Sequence, residues 1–259
     1  AVGDWRDLRD DDIMHALTGA GLFGRMTSKS PTLPPMMTLH YEGHLLRDGK
    51  KLTMEDFVPP VADCEFRTPT ILLVGTSMSA GKTMTGRVAC AELNALGYSV
   101  TGVKLTGAGR LRDILSFKAN GAERIYDFVD VGLPSTVVPE DEYRAAIRPM
   151  LRHVASERPD FMVCEAGASP LEPYNGAAAI DELGDNIACT ILCASDPYAV
   201  VGVRQAFGLE PDLVAGPATN TSSAIALVQK LTGVHGINVI NPKRIPEFRD
   251  FLIRQLGLN

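Results

Sequence analysis

From Thr70 onward, short apolar runs alternate with stretches whose apolar positions recur every three or four residues. The strand-like runs are TILLVG (70–75), SVTGVKL (99–105), FMVCEAG (161–167), IACTILCAS (187–195), DLVAG (212–216) and GINVIN (236–241). Runs with little polar interruption predict strands covered on both faces. Between them, helical sequence follows residue 81, runs through Leu93 and stops at Gly97. LRDILSFKAN (111–120) predicts a second helix, with Gly121 placed as its stop. In 139–159, Tyr143, Ile147, Met150, Leu151 and Val154 share one helical face, behind a proline and three acids that suit a helix start. Alternating strands and helices imply an α/β fold, a parallel sheet flanked by helices.

Residues 1–66 break this rhythm. They carry Pro31, Pro34, Pro35, Pro59 and Pro60, and a hairpin pattern, LHYEGHLLRDGKKLTM, with an Asp48-Gly49 turn signal. This predicts a short helix near 10–20 and then a small β-rich unit. The expected boundary lies near Arg67, giving a small N-terminal α+β unit (1–66) and a nucleotide-binding domain (67–259).

Composition narrows the class. A length of 259 residues with 45% hydrophobic and 22% charged residues is that of an ordinary globular chain. A net charge of −6 without a basic run argues against nucleic acid as the partner. No apolar stretch approaches a membrane span, and no secretory leader pattern opens the sequence. The five cysteines (Cys64, Cys90, Cys164, Cys189, Cys193) form no C-x-x-C pair, and four fall in predicted helix or strand. Reduced, buried thiols and a cytoplasmic location are expected.

The chemistry concentrates in ILLVGTSMSAGKTMTG (71–86). Gly81-Lys82-Thr83 is the end of a phosphate-binding loop, but the usual first glycine, five places before Gly81, is Thr76 here. Gly75 sits one place early. The context is still that of such a loop: a buried strand before it and a helix after it. Backbone amides of Thr76, Ser77, Met78, Ser79, Ala80, Gly81 and Met84 are candidates to cradle phosphates at a helix N-terminus. Lys82 would reach the outer phosphates, and Thr83 would hold Mg²⁺.

The stretch VGTSMSAGKT resembles the G-T-x-x-x-x-G-K-T loop of dethiobiotin synthetase and its relatives, including cobyrinic acid amide synthetases. In that family the glycine also precedes a threonine, so the early Gly75 matches a family trait. GVKLTG is similar to the family's K-P-x-x-T-G-like stretch, without its proline and with shorter spacing. CEAGAS is similar to its E-G-A-G-G stretch, with Ala166 in place of the first glycine. The resemblance spans about residues 70–240 and implies a P-loop NTPase-type sheet, ATP and Mg²⁺, and phosphoryl transfer to a small acid. It implies Lys82 and Lys104 as catalytic groups, Glu165 as a metal acid, and Lys104, Thr106, Gly107 and Gly167 on the substrate side. A looser resemblance, through the same loop and DFVDVGLPST, is to the P-loop family that includes D-glutamate N-acetyltransferases. It implies acyl transfer instead. A nucleotide-dependent switch whose residues 1–66 bind a partner is the third reading.

Other candidates follow from position. Lys104 is expected on the strand beside the loop's strand. Asp113 is the first choice for a second metal acid, with Asp127 and Asp130 as rivals. Asn220, after the strand at 212–216, is a candidate to read adenine, or else to cap the next helix; SDPYAV (195–200) is the alternative base-side loop. No N-K-x-D signature supports guanine. His40 and His44 would share one face of a strand but lack a third ligand. EPYNG (172–176) is a candidate pocket loop. A homodimer is compatible with these readings.

Overall fold

The computed structural model describes residues 1–9, 11–19, 21–60 and 63–258. Its centre is a six-stranded, wholly parallel sheet of β7 (Thr70–Gly75), β8 (Val100–Thr106), β9 (Arg124–Asp127), β10 (Phe161–Ala166), β11 (Ile187–Cys193) and β12 (Leu213–Ala215), in spatial order β12-β11-β7-β10-β8-β9. The loop-bearing strand β7 is therefore central. Chain order departs on both its sides, the arrangement in which α/β sheets open a crevice at their carboxyl ends. Ahead of it stand four short antiparallel strands, β1 (Val2–Asp4), β2 (Ile13–Ala16), β3 (Phe23–Ser28) and β4 (Thr38–His40), in order β1-β3-β2-β4. The hairpin β5 (Leu46–Arg47) and β6 (Lys50–Lys51) turns at Asp48 and Gly49, both at positive φ (53° and 74°), as a type I′ turn requires.

Alternation along the strands sorts the core into two layers. Ile71, Leu73, Val163 and Ile191 face helices α1 (Lys82–Ala95), α2 (Leu111–Lys118) and α7 (Ile245–Leu256), meeting Leu93, Phe117, Phe248 and Leu252. Leu72, Val74, Val103 and Cys164 face the other side, where α3 (Glu140–Ser156), α4 (Gly176–Leu183), α5 (Pro197–Phe207) and α6 (Ser222–Thr232) supply Ile147, Ala179, Val200 and Val228. Glu165 and Lys104 occupy positions on the α1 side where the pattern calls for apolar residues. They are register partners on neighbouring strands, and both are buried. That break in the pattern marks the site.

Several expectations are corrected. The helix near 10–20 is strand β2, because His15 and Ala16 pair with Gly24 and Phe23 of β3, and Ile13, Met14 and His15 pair with β4; cross-strand partners override the local preference. GINVIN is not a strand. Gly236 makes one isolated bridge to Val214, and the Asn238 side chain then accepts from the Ile240 amide, turning the chain away. β9 was not foreseen: four residues with an exposed Arg124 carry little apolar signal. Lys104 lies on β8, which is separated from β7 by β10. Among the described residues before Arg67, Gly24 alone is buried, while Trp5, Ile13, Phe23 and Phe57 stand exposed.

Candidate functional site

The loop from Thr76 to Gly81 leaves the carboxyl end of β7 and enters α1 through Gly81, which is left-handed (φ 98°) and provides no side-chain cap. The first amides of α1 are thus without a protein side chain, the state in which a helix N-terminus takes an anion. Ser79 is also left-handed (φ 64°), an uncommon backbone for a non-glycine residue. Thr76 anchors the loop: its amide donates to the Cys193 carbonyl (3.0 Å), and its hydroxyl accepts from the Ser195 amide (3.1 Å).

Lys82 folds back over the loop. Its Nζ donates to the carbonyls of Ser77 (2.9 Å) and Ala168 (3.0 Å), inside the space that a phosphate loop encloses. Gly75 makes this path available. A Cβ there would stand 2.3 Å from Lys82 Nζ and 2.7 Å from the Ala168 carbonyl oxygen. The glycine one place ahead of the usual register therefore serves the lysine rather than the turn. Burial lowers the Lys82 pKa below the ordinary lysine value, opposed by the nearby Glu165 carboxylate.

A polar row crosses the sheet from there. Thr83 Oγ1 donates to Glu165 Oε2 at 2.8 Å. Beside Glu165, Lys104 Nζ donates to the Ala108 carbonyl (3.1 Å) and to Asp113 Oδ2 (2.8 Å). Thr83 and Glu165 fit a Mg²⁺ ion, a hydroxyl and a carboxylate in hydrogen-bond contact at the mouth of the loop. That cation is commonly held by one or two carboxylates with phosphate and water oxygens completing its shell. No group of three or more His, Cys, Asp or Glu among the described residues forms a closed metal cage.

The same residues line one cavity of about 470 Å³, with Met78, Ser79, Lys82, Thr83, Met84, Lys104, Gly107, Asp113, Glu165 and Gly167 in its wall. The structure thus brings together most of the residues singled out in the sequence. Thr76, Ser77, Ala80 and Gly81 build the loop from behind. Thr106 is fully buried, and its hydroxyl donates to the Gly167 carbonyl (3.1 Å); it shapes the floor and is closed to a substrate. Gly167 is where β8 and β10 close up, since a Cβ there would meet the Thr106 carbonyl oxygen at 2.2 Å.

The candidates for a second metal acid already have partners. Asp113, the first choice, lines the same cavity as Thr83 and is paired with Lys104. Asp127 Oδ1 accepts from the Val129 amide, and Asp130 Oδ2 from the Asp127 amide, a reciprocal cap on the short 3₁₀ turn Phe128–Val131. Burial raises the Asp127 pKa. Asn220 is exposed and lines another cavity beside Asn238 and Arg244, and Thr221 caps α6 instead. The alternative base-side loop does touch the phosphate loop, through Ser195 and Thr76, while Asp196 caps α5. His40 ends β4, whereas His44 lies outside a strand and bonds the Tyr41 hydroxyl. Of EPYNG, Tyr174 lines the cavity, and its carbonyl holds Thr136, whose hydroxyl accepts from Gly107 N. Three cavity arginines, Arg87, Arg110 and Arg112, were missed. Arg87 had a readable signal, since it follows Thr83 by four and so shares its helical face.

No family model matches the chain, and no curated protein matches it in sequence. Among solved structures, it is similar to HypB from Helicobacter pylori, crystallised with nickel, at 17% identity over 74% of this chain and 88% of that one, with a TM-score of 0.46. Chloroplast FtsY from Physcomitrella patens is similar at 14% identity over 77% and 70%, TM-score 0.45. A DUF1611 family protein from Anabaena variabilis is similar at 14% identity over 78% and 64%, TM-score 0.46. Likeness at this level speaks to neither substrate nor reaction. The phosphate-loop sheet stands on its own strand order and loop geometry.

Proposed function

We propose that the protein binds a nucleoside triphosphate, ATP, with Mg²⁺ at this loop, and transfers the γ-phosphoryl group to the carboxylate of a small acid. The observation that carries the reading is the single cavity in which the Lys82 ammonium, the Thr83–Glu165 pair and the Lys104–Asp113 pair lie together. Mg²⁺, when bound, would supply charge neutralisation on the outer phosphates. Thr83 and Glu165 would hold it. Lys82 would exchange its two carbonyl partners for phosphate oxygens. Lys104, oriented by Asp113, would sit across from the γ-phosphoryl group and steady both it and the incoming carboxylate. The carboxylate oxygen forms the new P–O bond, the bond to the β-phosphate bridging oxygen breaks, and its electron pair leaves on ADP.

A nucleotide-dependent switch is the second reading. It is favoured by the approach of residues 1–66 to the cavity wall: Gly19 lies so near Arg110 that a Cβ would stand 3.2 Å from its guanidinium. Acyl transfer keeps the fold but replaces the reaction. The test is a panel of small carboxylates incubated with ATP or with acetyl-coenzyme A, scored for ADP and for free coenzyme A. Acid-stimulated ADP supports phosphoryl transfer. Free coenzyme A without ADP supports acyl transfer, and ADP release indifferent to every acid supports the switch.

A further inference from the structure

The cavity carries more positive charge than the loop's own ligand uses. Lys82, Arg87, Lys104, Arg110 and Arg112 line it, against Asp113 and Glu165. Lys104 is matched by Asp113 at 2.8 Å, and Lys82 belongs to the loop. Arg112 reaches Asp113 only at 3.8 Å and is mostly exposed. Arg87 is the informative member. Among the described residues it has no ion pair and no side-chain hydrogen-bond partner, and its side chain lines the cavity. A guanidinium without a protein partner on a cavity wall is free to take an oxyanion there through its terminal N–H groups.

The position of Arg87 separates that oxyanion from the nucleotide. It lies four residues beyond Thr83 on the same face of α1, about 6 Å further from the helix N-terminus at 1.5 Å per residue. Phosphates seat at the N-terminus, where the free amides and Lys82 are. Arg87 instead shares the cavity wall with Arg112, Asp113 and Ser116 of α2. A guanidinium presents paired donors that match the two oxygens of a carboxylate or phosphate.

Resting on the nucleotide reading of the loop, we infer that Arg87 anchors a second oxyanion in this cavity. The acceptor then carries an anionic group besides the carboxylate that reacts, and Arg110 and Arg112 line its entry. Its chemical class is a dicarboxylate or a phosphorylated acid, held at Arg87 by one end while the other end faces Lys104.

Succinate and inorganic phosphate are the probes, each titrated by calorimetry at constant ionic strength made up with chloride. The titrations are run on wild type saturated with Mg·ADP, and repeated without nucleotide on Lys82→Ala protein, whose loop is disabled. Saturable binding of one probe in both settings is expected, and its identity tells the carboxylate from the phosphate. Arg87→Gln should weaken it at least about tenfold, the scale of a charge-assisted pair, with Arg87→Lys intermediate. Arg152→Gln, an exposed arginine away from this cavity, should bind like the wild type and controls for net charge. Near-ultraviolet circular dichroism checks that Arg87→Gln is folded. Binding of neither probe, or equal binding by wild type and Arg87→Gln, overturns the inference. Failure of wild type to bind ADP removes the nucleotide reading alone, because the Lys82→Ala titrations still decide about Arg87.

Discussion

Gly75 and Lys82 are one device. The missing Cβ is what lets the lysine fold back over the loop, so Gly75→Ala should cost about 1–3 kcal/mol of stability, the usual range for overpacking a tight site. It should also weaken ATP binding. Thermal melting and calorimetry on the same variant check both, and a variant that melts and binds like the wild type would return Gly75 to a turn role. Glu165 gives a different signature. If it holds Mg²⁺ with Thr83, Glu165→Gln should lower turnover by roughly two orders of magnitude, because the metal matters most as charge develops. ATP affinity should fall far less. Equal turnover across a Mg²⁺ titration would make the Thr83–Glu165 contact structural.

At the level of elements, helices α1 to α3 and five of the six buried runs could be read from the chain, because apolar periodicity records what each segment packs against. Pairings between distant segments left weaker traces. The strand at 13–16 exists through partners seven or more residues away, and β9 through β8. The loop was legible despite Gly75, since strand, GKT and helix occur in order. The partners of the acids were not, as a carboxylate in a loop looks the same whether it meets a metal, a lysine or an amide. Asp127 shows the difference. As the cap of Phe128–Val131 it should cost about 1 kcal/mol when replaced by alanine, read as a lower midpoint in urea, with the Mg²⁺ dependence of turnover unmoved. A raised Mg²⁺ requirement in Asp127→Ala would restore it to the metal site.

Across the whole molecule, the cysteines shape the response to pH. Cys90, Cys164, Cys189 and Cys193 are buried and free, whereas Cys64 is half-buried. Burial pushes the Cys90 thiol up to about 12 and Cys193 to about 11. Unfolded thiols ionise near pH ~8.5. A folded pKa above the unfolded one contributes stability that is complete below that pH and is lost as pH rises through the folded values. Unfolding free energy from urea titrations should therefore decline between about pH 8.5 and 12. The decline should be shallower in Cys90→Ala, and an unchanged slope would mean that this thiol ionises in the fold. No helix among the described residues is long and apolar enough to cross a membrane.

The central claim joins the loop to a reaction on a small acid, and Lys104 is where the two meet, two strands from β7 with Asp113 holding its ammonium. The most direct test is the steady-state rate of ADP release with ATP and Mg²⁺, with and without each member of the carboxylate panel, in wild type and Lys104→Ala. The account predicts that at least one acid stimulates the wild type. Lys104→Ala should lose that stimulation by roughly a hundredfold, about 3 kcal/mol, while its ATP affinity changes much less. ADP release that no acid raises in the wild type would contradict the account, whatever the lysine variant does.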